Sequence, residues 1–290
     1  MKKSIIILLV LFLSLTLTGC GKDDLKGAHI TVSVYPIEYI INSLYDIEES
    51  KYTITSIYPN GTDFKEYKLT DKQLTDLSKN TTLFVYNGLS NEKEVAKTLI
   101  NKNKNIQIID VSYGLKYQYG IEELWLSPNN FLMLANTVKS DLEELSISKY
   151  TVEKIENNYA NLEEDLTSLD AELRGIAKVA KNKKKNTIII AYDAFGFLEK
   201  YGFNVVNITN ESSITSSVKN KFKDKTYKYI FVANKNDVSD SVKDLVDNYG
   251  AELVEVNTMA TLSDKQKNNK ENYLTIMNDF LTSLSNITSK

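Results

Sequence analysis

The chain has 290 residues, of which 42% are hydrophobic and 25% charged, an ordinary globular composition with room for one large or two medium domains. The 35 basic and 38 acidic residues give a formal net charge of -3, and no polybasic patch points to nucleic acid. A single Cys excludes intramolecular disulfides, and one Cys with one His excludes a zinc site rich in these residues. Because no nucleophile and base pair is evident, we do not expect an enzyme.

The N-terminus has the pattern of a targeting signal. A short basic segment precedes the apolar stretch 5–17, which is too short to be interpreted first as a membrane span. The sequence Leu-Thr-Gly-Cys at 17–20 resembles the lipobox of bacterial lipoproteins, and it contains the only Cys of the chain. We therefore predict a signal peptide over 1–19, palmitate-type lipidation of Cys20 and a polar tether over 20–27. A plain signal peptide or an N-terminal anchor helix is the alternative.

The segment 28–150 alternates strand and helix patterns. Four short runs rich in β-branched and apolar residues predict strands at 29–34, 52–58, 82–86 and 106–111. One helix follows Pro36, and another follows a capping box formed by Thr70 and Gln73. Strands that alternate with helices predict a parallel sheet covered on both faces.

A single apolar seam occupies the middle of the chain. Eight apolar residues from Ile155 to Ala180 recur at alternating spacings of four and three, which predicts a helix over about 151–181. A coiled-coil dimer segment is the alternative. We favour an intramolecular helix, because the seam is little more than four heptads long and α/β patterns lie on both sides of it.

The segment 182–290 returns to the alternating pattern. Predicted strands lie at 187–192, 203–208, 229–233 and 252–256. Predicted helices lie at 194–201, 238–249 and 269–284. Four strands on each side of the long helix predict two similar α/β lobes.

Five motifs in order resemble the metal-binding lipoproteins of ABC transporters, the zinc and manganese solute-binding proteins also called adhesin lipoproteins. They are SVYPIEYI at 33–40, YPNGTDFKEYKLT at 58–70, LFVYNGL at 83–89, ELWLSPNN at 123–130 and YDAFGFLEKYGF at 192–203. The C-terminal NYLTIMNDFLTSL at 272–284 also fits, so the resemblance covers about 30–284. It implies two (βα)4-type lobes with parallel sheets, joined by one long backbone helix, with the ligand in the cleft between them.

The resemblance also implies a role and a location. A member of this family is a lipid-anchored solute receptor of a zinc or manganese ABC importer, at the outer face of the bacterial cytoplasmic membrane. The implied partners are an ABC permease, membrane lipid through Cys20, and a metal ion or other small ligand. We expect a monomer with an N-terminal lobe over 28–150 and a C-terminal lobe over 182–290.

The positions that hold the metal in the family carry other residues here. Carried over one by one, the three His positions fall on Lys65, Glu123 and Tyr192, and the acidic position falls on Asn257. An ammonium has no lone pair for a cation, so we expect no metal at this family site, although the family implies zinc or manganese. We expect an internal salt bridge between Lys65 and Glu123, with Tyr192 and Asn257 completing the hydrogen bonding.

Three interpretations of the cleft stay open. Lys65 and Glu123 could bind the carboxylate and the amine of a small zwitterion or a peptide end. Alternatively, solute capture is lost and the surfaces serve adhesion or interaction. A third interpretation keeps manganese or calcium on an oxygen-only set made of Asp63, Glu66, Glu123 and Asp193. The one His, His29, lies at the start of the first strand and matches no ligand position.

Overall fold

The computed structural model describes residues 25–46, 51–146 and 148–289. The first sheet consists of β1 (His29–Val32), β2 (Thr53–Ser56), β3 (Leu83–Tyr86) and β4 (Gln107–Asp110). Its helices are α1 (Tyr35–Leu44), α2 (Asp71–Asn80), α3 (Glu92–Lys102), α4 (Glu123–Leu126) and α5 (Pro128–Leu145). The long helix α6 (Lys149–Asn182) follows. The predicted signal peptide and Cys20 lie outside the described residues.

The second sheet repeats the arrangement of the first. It consists of β5 (Thr187–Ile190), β6 (Asn204–Asn207), β7 (Tyr229–Val232) and β8 (Glu252–Glu255). Its helices are α7 (Ser216–Lys223), α8 (Asp240–Tyr249), α9 (Asp264–Asn268) and α10 (Tyr273–Ser289), with 3₁₀ segments at Asp193–Tyr201 and Glu211–Ser213. The strand orders are β2-β1-β3-β4 and β6-β5-β7-β8, and every strand pair is parallel. The predicted α/β class with two parallel sheets is therefore confirmed.

The helix α6 connects the two sheets and packs against both halves of the fold. Ser148 caps its N-terminus by accepting a hydrogen bond from the backbone N–H of Thr151. The apolar seam packs on α1, α5 and α10. Its residues Leu166 and Leu173 are at most 1% exposed. Each such leucine contributes about 2 kcal/mol by removing its surface from water. The seam therefore faces the interior of this chain, so the coiled-coil alternative is not needed to explain it.

One hydrophobic cluster continues through both lobes. It joins the first sheet, for example Ile30 and Phe84, to α6 and to Phe195 and Phe231 of the second half. A smaller cluster covers the outer face of the second sheet, around Phe222. Because the central core is continuous, the two halves share packing rather than meeting only through flexible segments. The predicted lobe limits, 28–150 and 182–290, stay predictions.

The segment predicted as a helix over 194–201 is instead a 3₁₀ helix. A Cβ added to Gly196 would lie 2.3 Å from the ring of Tyr119, so only glycine permits this approach to the first half. The segment ends at Gly202, whose φ is 95°. The capping box of Thr70 and Gln73 is present at the start of α2. Within the residues that the structure describes, no helix is long and apolar enough to cross a bilayer.

Candidate functional site

Loops that follow β2, β4 and β5 meet between the two sheets. The loop after β2 carries Lys65, the segment before α4 carries Glu122, and Tyr192 directly precedes the 3₁₀ segment after β5. These loops follow the carboxyl ends of parallel strands, where open α/β sheets commonly bind ligands. The topology therefore brings side chains from both halves of the chain to one place.

Lys65 is the central cation of this place. Its Nζ lies 2.6 Å from Glu122 Oε1 and donates to the hydroxyl oxygen of Tyr192 at 2.8 Å. The Tyr192 hydroxyl in turn donates to the same oxygen of Glu122. The ammonium also lies 4.8 Å from the centre of the Tyr192 ring and 5.7 Å from that of Phe64. We call Phe64, Glu122 and Tyr192 the ammonium cage.

The anion of the cage is buried and its cation is partly exposed. The side chain of Glu122 is 0% exposed, whereas that of Lys65 is 44% exposed. Burial, and then the charge of Glu122, raise the pKa of Tyr192, so its phenol stays neutral and can donate. Glu122 Oε2 is buried without a hydrogen-bond partner in the described part of the chain, close to Gly120 and Ala194. The carboxylate therefore depends on Lys65 and Tyr192 for its compensation.

The predicted pair between Lys65 and Glu123 is wrong. Glu123 Oε2 accepts the backbone N–H groups of Gln118 and Tyr119, each at 3.0 Å, and these bonds turn the side chain away from Lys65. Its other oxygen forms an ion pair with Lys200 at the end of the 3₁₀ segment. Neighbouring residues of a helical turn point about 100° apart, so Glu122 reaches Lys65 when Glu123 does not. Counting back two residues from Trp125, as the resemblance does, leads to Glu123. The carboxylate that pairs with Lys65 is the adjacent Glu122.

Glu123 forms a second contact between the halves of the chain. Burial by itself would raise its pKa, but the hydrogen bonds from Lys200 and from the two backbone N–H groups outweigh burial and lower the pKa below the ordinary value. The adjacent Tyr119 hydroxyl donates to Glu199 Oε2 at 2.7 Å. The carboxylate is thus held ionised between the two halves.

The remaining predicted site residues make their hydrogen bonds outside the cage. Asn257 Oδ1 accepts a hydrogen bond from the backbone N–H of Met259 at 2.8 Å. Asn257 also lines a separate cavity of about 350 Å³. Asp63 Oδ1 accepts the backbone N–H of Lys65 at 2.8 Å, and Asp193 Oδ1 accepts from Asn207 at 2.7 Å. Neither Asn257 nor these acids replace a missing metal ligand in the cage.

The oxygen-only metal set is not assembled. Asp63, Glu66 and Asp193 are exposed, and Glu123 is committed to Lys200. Among the described residues, no group of three or more His, Cys, Asp or Glu side chains is placed to hold a metal ion. His29 lies at the opposite end of β1, where its Nδ1 is 2.9 Å from the hydroxyl of Thr53.

The sequence reasoning missed Glu122 and Lys200. The signal for Glu122 was present as the second acid of the Glu122-Glu123 pair before Trp125. Lys200 lies in the last turn of the 3₁₀ segment, and no local pattern distinguishes it from other exposed lysines. Only the three-dimensional approach of the 3₁₀ segment to α4 reveals its partner.

Further bonds join loops of the two halves around the cage. The indole N–H of Trp125 donates to the carbonyl of Thr258 at 2.6 Å, and Tyr273 donates to the carbonyl of Trp125 at 2.7 Å. Thr261 donates to the carbonyl of Thr62 at 2.9 Å. Buried side chains at this boundary are thus bonded to backbone from the other half. These hydrogen bonds hold loops of the two halves together around the cage.

A family model described as zinc-uptake complex component A, periplasmic, matches residues 30–287 of the chain. None of the curated proteins matches it in sequence. The match spans both sheets and the long helix.

Solved structures share the fold. The metal-dependent lipoprotein YcdH from Bacillus subtilis has a TM-score of 0.73 at 22% identity, over 89% of this chain and 98% of its own. The Zn(II)-bound ZnuA-like domain of AdcA from Streptococcus pneumoniae has a TM-score of 0.71 at 22% identity, over 91% of this chain and 99% of its own. The solute-binding protein FpvC from Pseudomonas aeruginosa, solved with Mn²⁺, has a TM-score of 0.67 at 15% identity, over 90% and 98%. These similarities agree with the fold described above.

Proposed function

Because this chain belongs to the family of zinc-uptake complex component A, a family of metal-type ABC solute-binding proteins, we propose that it is a lipid-anchored member whose inherited metal site is filled by its own lysine. The observation that carries the proposal is the 2.6 Å contact between Lys65 Nζ and Glu122 Oε1. The contact lies where loops from both halves meet. The chain thus supplies an internal cation at the position expected for the solute.

The cage residues do not fit a transition-metal cargo. Zinc takes several lone-pair donors from thiolate, imidazole and carboxylate groups. The cage offers one carboxylate, and the nearest other side chains are a neutral phenol and an ammonium. The positive charge of Lys65 opposes entry of a second cation at short range. We therefore propose that the protein does not capture zinc or manganese in its inherited site.

The proposed partners follow from the family. A solute-binding protein of this kind docks on a membrane permease through the loops of both lobes, and a tethered receptor stays near that permease. We propose that acyl chains on Cys20 provide the tether. Cys20→Ser should abolish the incorporation of labelled palmitate into the chain, which autoradiography of the immunoprecipitated protein measures. Equal labelling of both forms would show that Cys20 is not the lipidated residue.

A gain-of-binding variant tests the proposal. We expect the double variant Lys65→His and Tyr192→His to bind Zn²⁺, because it removes the resident cation and places two imidazoles beside Glu122. Competition with a chromogenic chelator measures the affinity. The control variant Lys72→His places an imidazole at an exposed lysine of α2 and should bind no more Zn²⁺ than the unaltered chain. Tight Zn²⁺ binding by the unaltered chain would refute the proposal.

An adhesion or interaction role is the second candidate function. Tyr113 is 83% exposed and Met133 is 46% exposed, and both line a cavity of about 440 Å³ beside α5. Large apolar side chains grouped at a surface favour contact with another molecule. Cells carrying Tyr113→Ser and Met133→Ser should attach less to surfaces than cells carrying the unaltered chain. Unchanged attachment at equal surface levels of the two forms would contradict the adhesion role.

The zwitterion receptor is less well supported. It requires Lys65 and Glu123 to present their charges to one ligand, but these side chains pair with Glu122 and Lys200 respectively. A zwitterion would have to break both internal pairs before it gained its own contacts.

A further inference from the structure

We infer that the inherited metal site has become a binding site for a primary ammonium group, which Lys65 occupies in the unaltered chain and which accepts small primary amines once that side chain is removed. The inference rests on the proposed function only for the position of the site. It adds the chemical class of ligand that the cage recognises.

The three walls of the cage match the chemistry of an ammonium. Glu122 supplies a carboxylate oxygen at 2.6 Å and Tyr192 a hydroxyl oxygen at 2.8 Å, so two N–H groups have acceptors. The aromatic rings of Tyr192 and Phe64 lie 4.8 and 5.7 Å from the nitrogen. Rings within this range attract organic cations, whereas a divalent metal requires lone pairs that a ring face does not supply.

The cage walls do not depend on Lys65 for their position. Glu122 lies in the turn that leads into α4 and has no exposed side-chain surface. The Tyr192 ring packs on Phe195 at a centroid distance of 5.5 Å, and Phe64 packs on Trp125 at 6.0 Å. The walls should therefore stay in place when the lysine side chain is shortened.

The loop that carries Lys65 is also held without its ammonium. The backbone N–H of Lys65 donates to Asp63 Oδ1. The hydroxyl of Thr261 donates to the carbonyl of Thr62 in the same loop. The Lys65 side chain, at 44% exposed, enters from the solvent side of Glu122. Truncating the Lys65 side chain should open a path from solvent to the buried carboxylate of Glu122. This path should be about as long as the removed side chain and lined by the cage.

Charge around the cage selects cations without a carboxylate. Asp63 and Asp193 lie close enough that their charges raise the pKa of Tyr192, after the larger effects of burial and Glu122. A ligand carboxylate near the buried Glu122 and this acidic rim would be repelled. The best ligand is a linear primary amine of about the length of the lysine side chain. A diamine of that length could place its second ammonium near the rim.

Tethering explains why the unaltered chain should not take free amines readily. A group attached to the chain by a short flexible linker has an effective concentration of about millimolar or more at its own site. A free amine must exceed that concentration to displace Lys65. Removing the tethered competitor is therefore the change that reveals the site.

The test is rescue of Lys65→Ala by butylamine, which is protonated at pH 7 and has the four carbons and the ammonium of a whole lysine side chain, one carbon more than the substitution removes. We expect a saturable rise in the unfolding temperature of this variant between about 0.1 and 50 mM amine, the range set by weak single-group binding. Butane-1,4-diamine should act at equal or lower concentration. Butyltrimethylammonium, which has no N–H donor, and glycine should give no saturable rise.

Matched variants separate the cage from nonspecific effects. Lys72→Ala, at an exposed lysine of α2, and the unaltered chain should need higher concentrations of butylamine than Lys65→Ala for the same rise. Adding Glu122→Gln to Lys65→Ala should abolish the rescue. If Lys65→Ala does not fold, Lys65→Ser and the equilibrium binding of butylamine to it take its place.

Several results would overturn the inference. They are an absent rise in Lys65→Ala, an equal rise in Lys72→Ala, a rescue that survives Glu122→Gln, or a response to butyltrimethylammonium equal to that to butylamine. Binding of Zn²⁺ by the unaltered chain instead refutes the proposed function, so the two failures are distinguishable.

Discussion

At the scale of single residues, the two adjacent acids Glu122 and Glu123 have separate tasks. Glu122 forms an ion pair with Lys65 and accepts a hydrogen bond from Tyr192. Glu123 accepts hydrogen bonds from two backbone N–H groups and forms an ion pair with Lys200. Both carboxylates have no exposed side-chain surface, so each needs its own cation. Lys65 and Lys200 therefore pair with different acids of this adjacent pair.

Lys200→Met should destabilise the protein, because it leaves the buried Glu123 without its cation while keeping most of the lysine stem. We expect a loss of about 2 kcal/mol in the free energy of unfolding, below the full cost of a fully buried pair because Lys200 is 44% exposed. Urea unfolding at pH 7 measures it. Lys228→Met is the control, since its pair with Glu252 is about half exposed on both sides and should contribute little to stability. Equal effects of the two changes would contradict this assignment.

At the scale of elements, the first turn of α3 carries an acid that binds two neighbouring loops. Glu92 is 1% exposed and accepts from the hydroxyl of Tyr58 at 3.2 Å and from the backbone N–H of Asn87 at 2.8 Å. Burial raises its pKa to about 7, although these hydrogen bonds act in the opposite direction. The folded chain therefore keeps a proton on Glu92 under conditions where the unfolded chain releases it.

The pH dependence of stability should report Glu92. Its pKa is raised in the folded state, so the folded chain binds more protons between the ordinary value of 4.5 and about 7, and its stability falls as the pH rises through that window. The contribution of this group is about 3 kcal/mol. Urea unfolding from pH 4.5 to 8 measures it, and Glu92→Gln should flatten the slope.

Glu94→Gln is the matched control for this effect. Glu94 lies in the same first turn of α3, but its side chain is 75% exposed and pairs with Lys97. This substitution should leave the slope unchanged. A slope that survives in Glu92→Gln would show that other groups cause it.

The long helix α6 should stabilise both halves of the fold. Leu173 is 0% exposed within the seam, so Leu173→Ala should cost about 2 to 5 kcal/mol through lost burial and the cavity left behind. Val179→Ala, at a side chain 47% exposed on the same helix, should change stability by less than about 0.5 kcal/mol. Urea unfolding followed by circular dichroism distinguishes them. A small effect of Leu173→Ala would mean that the seam is not central to the core.

The elements were predictable from sequence because their signals are local. The spacing of Ile155, Leu162 and the other seam residues predicts α6 within two residues at its N-terminus and one at its C-terminus, and Thr70 with Gln73 predicts the start of α2. The 3₁₀ form of the segment around Gly196 was not predictable, because it depends on the ring of Tyr119 from the other half. Local periodicity cannot report such a contact.

The site was predictable only in part. The resemblance placed Lys65 and Tyr192, and the structure brings these two together at 2.8 Å. It placed Glu123 instead of Glu122, because the choice between them depends on the backbone N–H groups of Gln118 and Tyr119. It also placed Asn257, whose side chain accepts a hydrogen bond from its own loop instead of reaching the cage.

At the scale of the whole molecule, two sheets of identical strand order share one core and close on each other through polar bonds. The hydrophobic cluster extends through α6 into both halves, which favours small relative movements over a wide hinge. The hydrogen bonds of Tyr192 with Lys65 and Glu122, and the Glu123–Lys200 ion pair, link the halves.

The most direct test of this account is thermal unfolding of a soluble form that starts after Cys20, with and without excess Zn²⁺, Mn²⁺ and Ca²⁺. A ligand at about 100 times its dissociation constant stabilises the folded state by about 2.7 kcal/mol, a readily measured rise in unfolding temperature. We expect no saturable rise with any of the three ions, because the ammonium of Lys65 contacts Glu122 and Tyr192 in the proposed site. A saturable rise with Zn²⁺ or Mn²⁺ would contradict it and make the protein a metal receptor with an unusual ligand set.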